Sequence, residues 1–243
     1  WSVFAGFLLS ACSHGILALS IQLYKKGASI PSVVAFLLAT PWANLPVTIL
    51  LFGFFGWQAF LFIGAAMLIA VITGLVFVVL DRLGLIETNP NMPETTTYTW
   101  DRIHEFDAKK SAKGVWRGSV ALANMVLWWI LIGIVASAII GAYVPDRLMQ
   151  EYITASFTGL LITLGIATLL EVCSEASSPL AFEIYRSVGT LGNPFVFLMA
   201  GVATDYTEIG LLWTNIGKRT ALWLPAVSVP LVLLVGFVFN TVL

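Results

Sequence analysis

Long apolar stretches alternate with short polar interruptions along most of the chain. At about 20 apolar residues for each membrane crossing, the pattern predicts about seven membrane segments. These segments are residues 1–24, 31–55, 57–80, 119–144, 153–185, 190–213 and 220–242. The sequence therefore predicts an all-α fold, that of a polytopic helical protein embedded in a lipid bilayer.

A polar stretch separates the apolar segments into two groups. It contains Asn89-Pro90-Asn91-Met92-Pro93 and then a mixed-charge run that ends at Arg117. Such a composition is typical of a solvated linker. We therefore divide the chain into a first transmembrane half (1–80), a polar linker (81–118) and a second transmembrane half (119–243).

The two halves carry an internal repeat. When the sequence is aligned with itself at a shift of 161 positions, Cys12 falls on Cys173 and Ser13 falls on Ser174. The chain contains no cysteines other than this pair. An internal repeat whose copies both contain a polar interruption is typical of transporters that bind cargo between two halves.

The second apolar segment contains a predicted helix break. Pro41 and Pro46 each remove a backbone donor and disfavour the α conformation of the preceding residue. The repeat-related stretch, residues 200–208, is again flexible and polar. Broken backbone at membrane depth persists only where protein or a water-filled cavity surrounds it. The residues predicted to line the two breaks are Thr40, Asn44, Asp205 and Glu208.

Each half also places a thiol inside an apolar segment. The first copy of the repeat has Cys12-Ser13-His14, and the second has Cys173-Ser174-Glu175. Polar groups within a membrane segment are costly, so their default interpretation is a functional site. Thiols and imidazole suit soft or borderline metals and thiophilic species such as trivalent arsenic. We therefore predict that both clusters contact a small cargo or ion, and the identity of any metal stays open.

Carboxylates accompany the second thiol. Glu171, Glu175 and Ser178 share one helix face, because they are spaced by four and then three residues. Carboxylates at membrane depth suit protons or cations. We therefore predict that Glu171, Glu175 and Glu208 serve ion coupling, with Glu175 as the candidate for the coupling proton.

The composition excludes several classes of protein. With 59% hydrophobic and 10% charged residues, the chain is not an ordinary soluble domain, whose charged share is about one quarter. The net charge of -1 and the lack of basic runs argue against nucleic acid as a partner. No zinc-hydrolase, phosphate-loop or dinucleotide motif is present. The sequence therefore predicts that the protein is not an enzyme and binds no cofactor. It predicts transport that is driven by a gradient or by a membrane potential.

The positive charges predict an orientation but not a topology. If all the predicted segments cross, the linker side has nine Lys and Arg residues and the other side has three. This asymmetry predicts a cytoplasmic linker. Re-entrant hairpins at segments 31–55 and 190–213 give the same split, so parallel and inverted repeats both stay open, with full crossings favoured. Because Trp1 already lies in an apolar run, we also expect a segment upstream of it.

Small residues predict close packing between helices. Glycine lets two helix backbones approach closely in lipid. The glycines to which we assign this role are Gly64, Gly74, Gly133 and Gly141.

Several motifs resemble a known family. They are Leu9-Ser10-Ala11-Cys12-Ser13-His14-Gly15, residues 23–29, residues 35–41, Val172-Cys173-Ser174-Glu175 and residues 199–204. Together they resemble the predicted permeases that include ArsP-type organoarsenical efflux permeases. The resemblance implies eight spans, export of trivalent organoarsenicals and a thiol-lined path that includes Cys12 and Cys173. The first motif departs from the family's Cys-Ser-Cys-Gly at His14, where an imidazole replaces a thiol.

These observations lead to one main functional hypothesis and two alternatives. The main hypothesis is a secondary permease, an exporter of a thiophilic compound bound between the repeats at Cys12, His14 and Cys173. The first alternative is a channel-like or importing component that works with a soluble partner. The second is an intramembrane dithiol redox enzyme. The expected location is a bacterial or archaeal plasma membrane, and a homo-oligomer is compatible with the sequence.

Overall fold

The computed structural model describes residues 1–8, 13–43, 45–92, 153–170 and 174–242. Within these ranges every regular element is a helix. The predicted segment 119–144 and most of the linker lie outside the described residues, as do Gly133 and Gly141.

The described part of the first half contains five α-helices in chain order. They are α1 (Ser2–Leu8), α2 (Ser13–Lys25), α3 (Ile30–Ala39), α4 (Leu45–Phe55) and α5 (Ala59–Arg82). A 3₁₀ turn, Thr40–Ala43, follows α3, and another, Gly56–Gln58, precedes α5. The predicted break is therefore present: α3 ends at Ala39, and Pro41, which cannot donate to a helix ladder, lies in the 3₁₀ turn that follows.

The described part of the second half also contains five α-helices. They are α6 (Phe157–Leu170), α7 (Ser174–Val188), α8 (Gly192–Ala203), α9 (Tyr206–Asn215) and α10 (Lys218–Val242). Among the described residues, the stretches long and apolar enough to cross a membrane are Val47–Arg82, Gly192–Asn215 and Lys218–Val242. The predicted all-α membrane protein with broken helices is thus confirmed.

Helices α3 and α8 form the centres of the two halves. Nearly every residue of each helix is buried, as expected of helices that are apolar all round. Helix α3 packs against α1, α2 and α5, and α8 packs against α6, α7 and α10. Each half is therefore built as a buried central helix with three neighbours.

In the first half, α1 and α3 run in the same direction. Trp1, Ser2 and Val3 line a groove with Pro31 and Ala35 near the start of α3. Gly6, near the end of α1, lies against the Phe36 carbonyl and the Thr40 hydroxyl near the end of α3, where an added Cβ would be 2.8 Å from each oxygen. Because α2 leads directly into the start of α3, α1 and α2 form a hairpin.

The second half repeats this arrangement. The Asn193 amide, at the start of α8, donates to the Thr154 carbonyl and the Thr163 hydroxyl at 3.1 Å each. At the other end of the same two helices, the hydroxyls of Thr168 and Thr204 lie 2.7 Å apart. Helices α6 and α8 are therefore parallel, and α6 and α7 form a second hairpin.

These hairpins differ from the favoured expectation of full crossings. They lie in segments 1–24 and 153–185, whereas the alternative hairpins were predicted at 31–55 and 190–213. The physical reason is the packing direction. Helix α1 lies parallel to α3, with Trp1 near Pro31 and Gly6 near Phe36, whereas α2 ends beside the start of α3.

The two hairpins open toward opposite ends of the molecule. Glu87, just beyond α5, binds Arg219 and Thr220 at the start of α10, so α5 and α10 are antiparallel. We call this end, which also holds Trp1 and the loop after α2, the linker end. The opposite end, the far end, contains the start of α8, where the Gly192 N–H donates to Asn240 near the end of α10 at 2.9 Å. The two halves therefore run in opposite directions.

Glycine has two different roles along α5. A Cβ on Gly74 would lie 2.8 Å from the Ala35 Cβ on α3, so this glycine allows the close contact that the sequence predicted. A Cβ on Gly64 would meet nothing within 4 Å among the described residues. The close-packing prediction is thus confirmed for Gly74, whereas Gly64 is exposed among the described residues and its role stays a prediction.

The loop after α5 fastens two helix ends at the linker end. The Glu87 carboxylate accepts the Arg219 N–H at 2.8 Å, and it also accepts the Thr220 N–H at 3.0 Å and the Thr220 hydroxyl at 2.8 Å. The Asn89 amide donates to the carbonyls of Tyr24 and Ala28, both at 2.7 Å. Glu87 therefore caps the start of α10, while Asn89 satisfies carbonyls at the end of α2.

The Glu87 cap predicts a loss of stability at acid pH. Burial raises the pKa of the Glu87 carboxyl, but hydrogen bonds from Arg219 and Thr220 outweigh it, and the pKa lies below its ordinary value. A carboxyl whose pKa is lower in the folded state stabilises the fold fully above its unfolded-state pKa. That contribution is lost as the pH falls through the folded-state pKa.

We expect Glu87→Ala to lower the free energy of unfolding at neutral pH by about 1 kcal/mol, the usual effect of losing a helix cap. Thermal unfolding in detergent, repeated down the acid range, measures this. Glu183→Ala is the matched control, because the 3.1 Å ion pair of Glu183 with Arg186 is exposed. Equal unfolding midpoints for wild type and Glu87→Ala would contradict the cap.

Candidate functional site

The break after α3 lies beside the first hairpin. The 3₁₀ turn Thr40–Ala43 packs against α1, α2 and α5. The Thr40 hydroxyl is fully buried and donates at 2.7 Å to the Phe36 carbonyl, which also accepts the Thr40 N–H. The Trp42 side chain is also fully buried, and its Nε1 has no hydrogen-bond partner among the described residues. The indole N–H of Trp42 is therefore a buried polar group at the break that the sequence analysis did not predict.

The break after α8 is joined to the second hairpin by hydroxyls. The Thr204 hydroxyl contacts the Ala200 carbonyl at 2.8 Å, and the Thr168 hydroxyl contacts the Leu164 carbonyl at 2.9 Å. The two hydroxyls also contact each other at 2.7 Å. The two hydroxyl groups therefore make three contacts in total. The contact between them joins the end of α6 to the end of α8.

Asp205 begins the helix that follows this break. It is the N-cap of α9, and its Oδ1 accepts the Glu208 N–H at 2.9 Å. Capping by aspartate is a common way to satisfy a helix start. The cap accounts for this carboxylate, which is only 5% exposed, without any cargo.

Glu208 has no comparable explanation. Its side chain is 3% exposed, and its Oε1 has no hydrogen-bond partner within the described ranges. A buried carboxylate without partners is strongly unfavourable. Glu208 is therefore the described residue at this site whose chemistry most needs a ligand or a proton.

For some of the other predicted site residues the structure describes only the backbone, and the rest lie outside the described residues. Ser13 and His14 are the first two residues of α2, and Ser174 and Glu175 are the first two of α7. The remaining predicted residues lie outside the described residues: Cys12, Asn44, Glu171 and Cys173. In sequence, each cysteine directly precedes the helix that forms the second arm of its hairpin.

Further polar residues contribute to this region without having been singled out. Thr168 is the clearest case, since its hydroxyl contacts Thr204, yet the repeat aligns it with the apolar Phe7. The repeat therefore gives no indication that Thr168 has a polar contact at this position. In the part of the chain that the structure describes, no group of three or more His, Cys, Asp or Glu side chains could hold a metal ion.

The hydroxyl contact between the second hairpin and its break is testable. We expect Thr168→Val, which keeps the shape and removes the hydroxyl, to lower the free energy of unfolding by about 1 kcal/mol. Thr204→Val should have a similar effect, and the two effects should not add, because each removes the same contact. Thermal unfolding of the single and double variants measures this.

Thr214→Val is the matched control for these variants, because the exposed Thr214 hydroxyl contacts only its own helix, namely two carbonyls and the Asn215 amide. It should leave the stability nearly unchanged. Fully additive losses in the Thr168 and Thr204 double variant would show that the two hydroxyls act independently.

Comparisons with known proteins agree with the resemblance found in the motifs. A family model described as "predicted permease" matches residues 2–241. A Streptococcus mutans protein named as a two-component membrane permease complex subunit is 25% identical over 221 residues, which cover 87% of this chain and 69% of that protein. The UPF0718 protein YcgR of Bacillus subtilis is 24% identical over 220 residues, which cover 88% of this chain and 72% of that protein. No solved structure matches the chain significantly.

Proposed function

Because the chain belongs to the ArsP-type predicted permease family, we propose that it is a secondary permease that exports a small thiophilic compound. The compound class is a trivalent organoarsenical or a metal-like ion. The observation that carries this proposal is the pair of opposed hairpins, in which a cysteine precedes α2 and another precedes α7.

The helix boundaries support two repeated halves. Helices α3 and α8 begin at Ile30 and Gly192, which are 162 residues apart, and each packs against three helices of its own half. The halves also run in opposite directions. Transporters with inverted repeats bind cargo between the repeats and expose it to each side by rocking one repeat against the other.

The proposed site combines the two thiols with neighbouring polar groups. Cys12 and Cys173 would bind the cargo, with His14 as a further soft or borderline ligand. The remaining residues proposed to line the site are Ser13, Thr40, Asn44, Ser174 and Asp205. Of these, Thr40 and Asp205 are buried at the two breaks, as a site between broken helices requires.

The distribution of positive charge supports an orientation. Of the six Lys and Arg residues in the described ranges, five lie at the linker end and only Arg186 lies at the far end. Positive residues are enriched on the cytoplasmic side of membrane proteins. We therefore place the linker end in the cytoplasm of a bacterial or archaeal cell, which makes export a movement from the linker end to the far end.

The arsenical proposal is tested by expression in an arsenic-sensitive bacterium challenged with a trivalent methylarsenical. Wild type should raise tolerance and lower cellular arsenic, whereas Cys12→Ser and Cys173→Ser should each remove most of the protection. Removing a residue that only hydrogen-bonds to a metal ligand typically lowers the affinity for the metal by about 10–100-fold. We therefore expect loss of a direct ligand to lower the affinity for the cargo at least as much.

A thiol elsewhere on α7 provides the matched control. Ser187→Cys, added to the Cys173→Ser variant, should not restore protection, because residue 187 lies at the far end of the helix. Tolerance that is unchanged by wild-type expression would overturn the arsenical cargo. Protection that survives both cysteine substitutions would overturn the site.

A second candidate function is a component of a two-subunit permease. The Streptococcus mutans relative is named as a subunit of a two-component membrane permease complex, and this favours a partner for the present chain. The mixed-charge linker is the proposed docking segment. We expect deletion of residues 94–113 to abolish transport while leaving the thermal unfolding midpoint unchanged, because the deletion spares Glu87 and Asn89 with their helix contacts.

This deletion separates the two functions. A permease that works alone retains arsenical protection without residues 94–113, which would contradict the two-subunit function. A drop in the unfolding midpoint would instead show that these residues belong to the folded membrane part.

A further inference from the structure

The two halves differ in the polarity of their equivalent buried positions. At a shift of 161 residues, Glu208 corresponds to Val47, which is fully buried. Ser177 and Ser178 likewise correspond to Ile16 and Leu17, which are 0% and 1% exposed. At these three positions the second half has polar side chains where the first half has apolar ones, and the positions are buried in both halves.

Glu208 is the only one of these differences that introduces an ionisable group. It lies in the first turn of α9, directly after the break, and is 97% buried given its exposure of 3%. Its N–H is used by the Asp205 cap, but its Oε1 has no hydrogen-bond partner in the part of the chain that the structure describes. The capping role of Asp205 therefore does not explain why the side chain of residue 208 is a carboxyl.

Among the residues that the structure describes, no positive charge near Glu208 neutralises it. Helix α9 packs against α10 and α2. The titratable residues on these three helices, besides Glu208 and the neighbouring Asp205, are His14, Tyr24, Lys25, Tyr206, Lys218 and Arg219. The three cations among them are exposed at the linker end, and Lys218 lies over the Trp213 ring at 5.5 Å from its centroid. Asp205 adds a like charge, so the nearest charge repels an ionised Glu208.

We propose that Glu208 is the residue that takes up and releases the coupling proton of the transport cycle, so that only the second half contains the ion site. This inference rests on the proposed function as a secondary permease. A buried carboxyl without a cation partner is stable as the neutral acid, and it ionises when water reaches it. In each cycle, a hydronium ion on one side forms the O–H bond on Oε1, and water on the other side accepts that proton.

The protonation of Glu208 is measurable without any cargo. Infrared spectra of the purified full chain in lipid nanodiscs, recorded across neutral pH, should show the carbonyl stretch of a protonated carboxyl in apolar surroundings. Glu208→Gln should remove this band, and Glu183→Gln, which changes an exposed carboxyl on α7, should retain it. A wild-type spectrum without the band, or a band that persists in Glu208→Gln, would overturn the proposal.

Two additions keep this test decisive. If Glu208→Gln does not purify as a single species, Glu208→Asp retains the carboxyl and should shift the band, and an unshifted band would overturn the proposal. Replacing potassium by sodium at constant pH should leave the band unchanged. Loss of the band in sodium would identify a sodium site and would overturn the assignment of the proton.

A transport measurement distinguishes this inference from the proposed function. In proteoliposomes supplied with a trivalent methylarsenical, one proton for each cargo supports about tenfold accumulation for each pH unit of gradient. Glu208→Gln should still exchange the arsenical but should lose this dependence on the gradient, while Glu183→Gln should keep it. Gradient-driven accumulation by Glu208→Gln overturns the coupling role alone. Absence of any arsenical flux in wild type overturns the cargo, and the infrared result still decides whether Glu208 carries a proton.

Discussion

Helix ends within the membrane are the constraint on which this structure depends. Each end leaves about four backbone groups without partners in its own helix, and the bilayer offers no water to satisfy them. The chain ends α3 at Ala39 and begins α9 at Tyr206 inside apolar segments, so both breaks must be enclosed by protein. This is why α3 and α8, which lead into the breaks, are the buried centres of their halves. The surrounding helices supply the enclosure that the breaks need.

The two halves satisfy this constraint by different chemistry. In the first half, α3 passes into a 3₁₀ turn that contains Pro41, and the buried Thr40 hydroxyl donates to the Phe36 carbonyl. In the second half, the Asp205 carboxylate caps the next helix, and a pair of threonine hydroxyls joins the break to the hairpin. A repeat in sequence has thus not produced identical sites. Among the described residues, the second break has a buried carboxyl at Glu208 where the first half has Val47, and the proposed ion site rests on this difference.

The sequence predicted the location of the breaks better than the direction of the helices. Pro41 indicates the first break because it cannot donate to the helix ladder. Proline alone does not end a helix, since Pro179 lies inside α7 and Pro225 lies inside α10. The hairpins could not be predicted from length, because residues 1–24 are as long as one ordinary span. Their direction depends on contacts between distant residues, such as Asn193 with Thr154 and Glu87 with Arg219. Gly64 and Gly74 show the same limit, because only the neighbouring helix decides which glycine is needed for close packing.

The contacts that hold the two halves together differ between the two ends of the molecule. At the linker end, Glu87 of the first half caps α10 of the second through three hydrogen bonds. At the far end, Phe54 stacks on Phe182 at 5.0 Å between ring centroids, and Phe55 contacts Tyr185 at 5.6 Å. Water readily replaces the polar contacts when they separate, but exposing the aromatic surface costs free energy in proportion to its area. If the halves rock as proposed, opening at the linker end is therefore the less costly movement, and cargo binding has to supply the free energy that opens the far end.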